Sequence, residues 1–285
     1  MRLDFSGPLD WDLLLAYFAT RAISGVEHVD RATSMYRRSV LIAGEPRVLA
    51  LSPLEEGALD LQLDPASGPL ADNVVARARG IFAIDRDPTE ASAHLAADPA
   101  LAPLVAARPG LRVPGTWDPY ETGVRAIVGQ QVSVAGASTV TARIVQRVGT
   151  PVPGWEAHGL THTFPPPAAL AAADLAGIGM PAARADAIRA FAAAVAGGDV
   201  VLDGTVGLDE LIASICRIRG LGPWTASYIA LRMGEPDAFP AADLGLRRAV
   251  RPDAPLTTAE LTARAEAWRP WRGQAAVRLW LSEVP

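Results

Sequence analysis

The sequence predicts an α+β N-terminal domain, an antiparallel sheet with helices over residues 1–87, followed by an all-helical region over residues 88–285. Three observations carry this. Short extended segments separated by turn residues crowd the first 65 positions. From about residue 88, apolar residues recur at helical spacing between proline and glycine breaks. Half of the 285 residues are hydrophobic, with a mean hydropathy of +0.19, enough to bury more than one core.

Asp10 is placed to cap a helix over 11–20, on which Trp11, Leu14, Leu15 and Phe18 share a face. Extended segments follow over 25–29, 34–42, 47–52 and 59–63, with Ala43-Gly44-Glu45-Pro46 as a turn between two of them. A helix over 69–82 aligns Leu70, Val74, Ala78 and Ile81. Helical patterns then cover 89–97, 99–107, 119–129, 132–148, 167–173, 181–196, 208–214, 223–232, 244–250, 257–267 and 271–281. Pro181 and Pro223 fall where a first helical turn tolerates proline. The absence of a repeat of about 20–50 residues argues against a solenoid.

No apolar stretch approaches the roughly 20 residues of a membrane helix, and the N-terminus lacks the apolar core of a signal peptide. A lone cysteine, Cys216, excludes an intrachain disulfide and any four-cysteine zinc or iron–sulfur site. We therefore expect a cytoplasmic monomer, free-standing because it opens on Met1, with no membrane partner. Net charge is −5 and the isoelectric point about 5.4. The acidity is local: residues 1–107 hold 9 arginines against 15 acids, residues 108–285 hold 17 against 16. All 26 basic residues are arginine, so no side-chain amine exists for a Schiff base.

Gly220-Leu221-Gly222 stands between two helical patterns. Glycines allow a tight hairpin, Leu221 fills the angle, and Pro223 starts the next helix. Unpaired N–H groups at such a turn, at the positive end of a helix dipole, suit a DNA phosphate and let an acidic, lysine-free protein hold nucleic acid by its main chain. Asp243 opens a further helix. An aspartate there is commonly an N-cap, and the same position keeps a carboxylate available to stabilise positive charge on a sugar during N-glycosidic cleavage or to orient water. Trp224 and Tyr228, four apart, share a helix face; they suit either core packing or a slot for an extruded, electron-poor base.

Taken with Asp10-Trp11, Tyr17, Thr20-Arg21-Ala22-Ile23, the runs 107–115 and 121–134, Leu170-Ala-Ala-Ala-Asp174, Gly179-Met180-Pro181, Gly220-Leu-Gly-Pro-Trp-Thr-Ala226, Asp243, Trp268-Arg-Pro-Trp-Arg272 and Trp280, the chain resembles the helix–hairpin–helix DNA glycosylases, and among them the AlkA-type 3-methyladenine DNA glycosylases II. The resemblance spans essentially the whole chain. It implies that the helical region forms two subdomains with a base pocket between them, and that its hairpin covers 214–232. It implies an enzyme that flips an alkylated base, of the 3-methyladenine or 7-methylguanine type, out of duplex DNA and hydrolyses its N-glycosidic bond. It makes Asp243 catalytic, sets Tyr17, Trp224, Tyr228 and Trp280 around the base, and assigns DNA contacts to Arg219, Gly220, Leu221, Gly222, Thr225 and Gln131. Backbone carbonyls of Cys216, Ile218 and Leu221 would hold a monovalent cation, Na+ or K+; no other cofactor is implied. Trp224 stands where related bifunctional enzymes carry a nucleophilic lysine, which implies a monofunctional hydrolase that leaves an abasic site.

Four positions depart from the family pattern. Gln131 replaces an apolar wedge, Arg219 a common proline, and Leu244 and Leu281 replace aromatic residues, so the substrate range is open. His158 and His162 have metal-ligand spacing, but Gly159 and a loop-like setting argue against ligation. Two other readings remain: a protein that binds damaged DNA without cleaving it, against which Asp243 argues, and a glycosylase for oxidised or deaminated bases, against whose lyase form the missing lysine argues.

Overall fold

The computed structural model describes residues 1–55, 57–65 and 72–282. Five strands, β1 (Arg2–Asp4), β2 (Glu27–Asp30), β3 (Met35–Ile42), β4 (Glu45–Glu55) and β5 (Ala58–Asp64), form one antiparallel sheet in the order β1-β5-β4-β3-β2. The edge strand β1 is too short to show alternation and was not expected. The turn before β4 is tighter than predicted. Ala43 and Gly44 both take positive φ, the geometry of a two-residue hairpin, so Glu45 and Pro46 already pair with Ile42 and Leu41.

Helix α1 (Trp11–Ala19) is capped by Asp10, whose side chain accepts from the Leu13 N–H at 3.2 Å. Its buried face packs Trp11 and Phe18 against Tyr36 and Phe82, with ring centroids 4.5–5.5 Å apart. Such aromatic pairs add about 0.5–1.5 kcal/mol each beyond simple burial. Helix α2 (Asp72–Ile81) completes this core with Val74, Ala78 and Ile81; residues 69–71 of the predicted helix, Leu70 included, lie outside the described residues.

The helical region comprises α3 (Thr89–Leu95), α4 (Ala102–Ala107), α5 (Pro119–Val128), α6 (Val134–Val148), α7 (Pro167–Ala171), α8 (Ala182–Gly197), α9 (Leu208–Cys216), α10 (Pro223–Met233), α11 (Leu244–Val250), α12 (Thr258–Ala265) and α13 (Arg272–Ser282). Helix α6 starts two residues later than predicted because Ser133 caps it, accepting from Gly136, while Gln131 sits in a left-handed turn at φ 59°. Pro181 is the N-cap of α8 rather than a residue of its first turn, whereas Pro223 does occupy the first turn of α10. The predicted 257–267 helix ends as a 3-10 turn, Glu266–Trp268.

The run 107–115 forms a seam between sheet and helices. The buried guanidinium of Arg112 donates to the carbonyls of Ser6, Pro8, Ala83 and Ile84. A side chain on Gly115 would place its first carbon 1.9 Å from the Gly80 carbonyl oxygen, so only glycine fits. A second tie is ionic. Arg38 on β3 meets Glu121 on α5 at 2.5 Å, and Arg125, one turn on, reaches Glu27 at 3.0 Å. These contacts set α5 against the N-terminal domain and fix one wall of the cleft described next.

Candidate active site

Helices α9 and α10 meet at the predicted hairpin. Gly220 has φ 90°, open to glycine without strain, and Leu221 is buried with its N–H on the Ile218 carbonyl at 3.0 Å. Gly222 is the N-cap of α10 and supplies no side-chain cap. Among the described residues, the N–H groups of Gly220, Gly222, Trp224 and Thr225 find no protein acceptor, which leaves a row of donors at the start of an eleven-residue helix.

Asp243 is the N-cap of α11. Its Oδ1 accepts from the Leu246 N–H at 3.0 Å and from the indole Nε1 of Trp280 at 2.9 Å; its Oδ2 accepts from the indole Nε1 of Trp224 at 2.8 Å. All three donors are neutral, so the negative charge is oriented without being cancelled. Trp224 lies parallel to Tyr228, centroids 5.6 Å apart and planes 7° from parallel, and Trp280 meets Tyr228 edge-on at 6.1 Å. Trp224 and Tyr228 thus stack on one another as a continuous wall rather than as two sides of a slot. Tyr17 reaches the same place from α1: its hydroxyl and that of Tyr228 both accept from Nη1 of Arg232 at 2.9 Å. One face of Tyr17 is covered by Arg21, whose guanidinium carbon lies 4.0 Å from the ring centroid. These residues line a cleft of about 340 Å³, with Asp243, Trp224 and Trp280 at one end and Tyr17, Arg21 and Arg232 at the other. Burial raises the Tyr17 hydroxyl pKa against the pull of Arg232. Burial also acts to raise that of Tyr228, but Arg232, the Tyr17 hydroxyl, Arg21 and Arg125 together bring it down to about 8.

A family model of the AlkA N-terminal domain matches residues 1–118, and one for the HhH-GPD superfamily base excision DNA repair proteins matches residues 124–272. The chain belongs to the HhH-GPD superfamily. A DNA-3-methyladenine glycosylase 2 of Escherichia coli is 35% identical over 99% of this chain and 96% of its own length. A Mycobacterium tuberculosis protein named as a bifunctional transcriptional activator/DNA repair enzyme AlkA is 36% identical over 98% of this chain; the chain spans 56% of that relative's length. A solved 3-methyladenine DNA-glycosylase from Archaeoglobus fulgidus superposes with a TM-score of 0.83 over 99% of this chain and 97% of its own, at 21% identity, and so shares the fold.

In this HhH-GPD chain all five residues assigned to catalysis and base contact, Tyr17, Trp224, Tyr228, Asp243 and Trp280, line the one cleft. Arg219 is exposed beside the hairpin, and Gln131 is exposed at the α5–α6 turn. Thr225 does not project outward. Its side chain is buried and bonded to Nε2 of Gln130 at 3.2 Å, so only its N–H is offered at the hairpin. Gln130 also donates to the Gly220 carbonyl at 3.2 Å, tying the hairpin to the turn that carries Gln131. Val132 and Val134, on the same turn, are 44% and 47% exposed and border the cleft; Leu244, next to Asp243, is 46% exposed. The carbonyls of Cys216 and Leu221 accept no hydrogen bond among the described residues, while that of Ile218 already takes the Leu221 N–H. His158 closes a short 3-10 turn beside Trp155. Sequence reasoning missed Arg232, Gln130, Arg21 and Arg125. For Arg232 a signal existed: it continues the Trp224, Tyr228 spacing by one more turn of α10.

Proposed function

We propose that the chain is a monofunctional DNA glycosylase that extrudes alkylated bases of the 3-methyladenine and 7-methylguanine type from duplex DNA and hydrolyses their N-glycosidic bonds, leaving an abasic site. The observation that carries this reading is Asp243, an anion held by three neutral N–H donors at the mouth of an aromatic cleft. As the C1′–N bond breaks, its electron pair leaves with the base and positive charge builds on the sugar. An anion about 4 Å away, at an effective dielectric of about 20, stabilises that charge by about 4 kcal/mol. Water then forms the C1′–O bond and passes its proton to the Asp243 carboxylate, which returns it to solvent. An alkylated purine is already cationic, so it departs neutral and needs no strong general acid. With no lysine in the chain and an indole at position 224, the sugar is released by water rather than through a Schiff base.

The free N–H groups of residues 220–225 would grip a phosphate, with Arg219 alongside. Gln131, lifted by its left-handed turn, would fill the gap left by the extruded base, and the neighbouring Val132 supplies the apolar contact that glutamine lacks. The carbonyls of Cys216, Ile218 and Leu221 fit a monovalent cation, which would stiffen the hairpin; two of the three have no competing donor. In the test, a duplex carrying 3-methyladenine or 7-methylguanine is incubated with the protein. We expect free base, and strand breaks only after heat or alkali, from the wild type, and no free base from Asp243→Asn. Tight binding with no release by either protein would leave a damaged-DNA-binding module instead, and breaks without alkali would contradict monofunctionality.

A further inference from the structure

The far end of the cleft holds a group that chemistry at Asp243 does not use. Arg232 is buried, and among the described residues no carboxylate contacts it. Its Nη1 donates to the hydroxyls of Tyr17 and Tyr228, both at 2.9 Å; Nε donates to the Pro114 carbonyl at 2.6 Å and Nη2 to the Gly115 carbonyl at 2.5 Å. Each phenol oxygen accepts from the guanidinium and keeps its own proton. The two hydroxyls share one nitrogen, so at most one of their two protons is used between them. No other protein acceptor takes either proton among the described residues. At least one O–H therefore remains for whatever enters the cleft that both rings line.

Helix α10 serves as a ruler. Trp224, Tyr228 and Arg232 follow one another on one face, and a rise of about 1.5 Å per residue sets Tyr228 about 6 Å and Arg232 about 12 Å beyond Trp224. The indole of Trp224 marks the position of Asp243. A purine whose glycosidic nitrogen lies near Asp243 extends its six-membered ring along this face toward the phenols.

We infer that Tyr17, Tyr228 and Arg232 form a specificity-determining floor that favours purines with a carbonyl oxygen at C6 over those with an amine there. The inference rests on the glycosylase reading above. A carbonyl lone pair at C6 accepts the free O–H directly, whereas an exocyclic amine cannot accept it, and the phenol must turn to the neighbouring N1 or take the amine on its remaining lone pair at poorer geometry. The floor also acts during cleavage. The electron pair that enters the base is drawn partly onto a C6 oxygen, where the phenol and the cation behind it stabilise it. Tyr228 and Tyr17 touch the base; Arg232 acts through them as a positioning residue. Arg232, Arg21 and Arg125 each pull the Tyr228 hydroxyl down and, together with the Tyr17 hydroxyl, overcome burial, in keeping with a positive field at this end of the cleft.

The test uses duplex DNA methylated at N3 of both purines. 3-Methylguanine and 3-methyladenine carry the same charge and the same methyl position; they differ at C6, at N1 and by guanine's C2 amine. The control is therefore 3-methylhypoxanthine, which keeps the C6 oxygen without that amine and should follow 3-methylguanine. The readout is the ratio of the two free bases after a limited digest, because loss of fold or of stacking lowers both together. Tyr228→Phe keeps the ring and removes the donor; the share of 3-methylguanine should fall about three- to tenfold, the worth of one net hydrogen bond. Arg232→Gln should shift the ratio in the same direction. A ratio unchanged in Tyr228→Phe and in Tyr17→Phe, with 3-methyladenine still released by the wild type, would overturn this inference alone. No methylated purine released by the wild type would overturn the glycosylase reading and the inference with it.

Discussion

Asp243 and Glu121 are both carboxylates anchored inside the molecule, and they are anchored by opposite kinds of partner. Glu121 has a side-chain exposure of 2% and faces two guanidiniums, Arg38 at 2.5 Å and Arg125 at 3.5 Å. Asp243 is half-buried and accepts only neutral N–H groups, from two indoles and its own helix. In the first case the charge is cancelled within the protein, and what remains is a joint between β3 and α5. In the second the charge is aimed into a cleft whose arginines, Arg21, Arg125 and Arg232, make no contact with it among the described residues. A carboxylate whose counter-ion is missing is one for which a substrate can supply the positive charge.

Removing the charge at Asp243 gives the largest expected effect. Asp243→Asn keeps a good N-cap, so the fold should hold. The rate of base release under single-turnover conditions should fall at least about 10³-fold, the equivalent of about 4 kcal/mol. A similar fall in thermal stability, with release by the folded fraction intact, would erase the distinction between the two carboxylates. Glu121→Ala should do the reverse. It strands the buried Arg38, which costs about 3–5 kcal/mol in urea unfolding. Replacing the pair together, Arg38→Met with Glu121→Leu, should recover most of that loss, because two apolar side chains bury no charge.

The indoles give a finer test. Trp280→Phe keeps a ring against Tyr228 but removes one of the donors to Asp243. A hydrogen bond to a charged group contributes about 1.5–3 kcal/mol, so base release should slow by roughly 10- to 100-fold. The loss should appear in kcat rather than KM, since the indole orients the carboxylate in the transition state. If KM alone rises, Trp280 is a base contact and nothing more.

What was legible in the sequence follows this division. The hairpin, the Asp243 cap and the Trp224, Tyr228 pair are local features, set by spacings of four residues or fewer. The sheet and most helices were readable for the same reason: alternation and helical periodicity are local, and only the three-residue β1 was too short to show them. The contacts that complete the site join distant segments. Trp280 meets Asp243 across 37 positions, Gln130 meets Gly220 across 90, and Arg232 meets Tyr17 across 215. Family resemblance supplied Tyr17 and Trp280 as pocket residues, yet it did not show that both indoles donate to the carboxylate. Nor did it show that arginines already occupy the Tyr17 ring, because no periodicity encodes which groups a fold brings together.

The smallest effect, and the one that probes the ionic joint without removing it, is its response to pH. Burial works to raise the Glu27 carboxyl pKa, but Arg125, Arg38, the Tyr36 hydroxyl and the Ile23 N–H together hold it below the usual glutamate value. Glu121, equally buried, ends above that value, since burial and the neighbouring Glu27 charge outweigh Arg38 and Arg125. The signs then oppose. A lowered carboxyl contributes stability that is complete above the ordinary value of about 4.3 and is lost as pH falls through its folded value. A raised carboxyl contributes most below that ordinary value and loses it as pH rises through its own folded value. Glu121→Gln should therefore leave the acid-side loss of Glu27 uncompensated and steepen the fall in urea midpoint between about pH 5 and 3. Glu27→Gln should flatten or reverse it. Parallel curves for Glu27→Gln and Glu121→Gln would mean that the arginines treat the two glutamates alike, and that the joint is a single ion cluster with no division of sign.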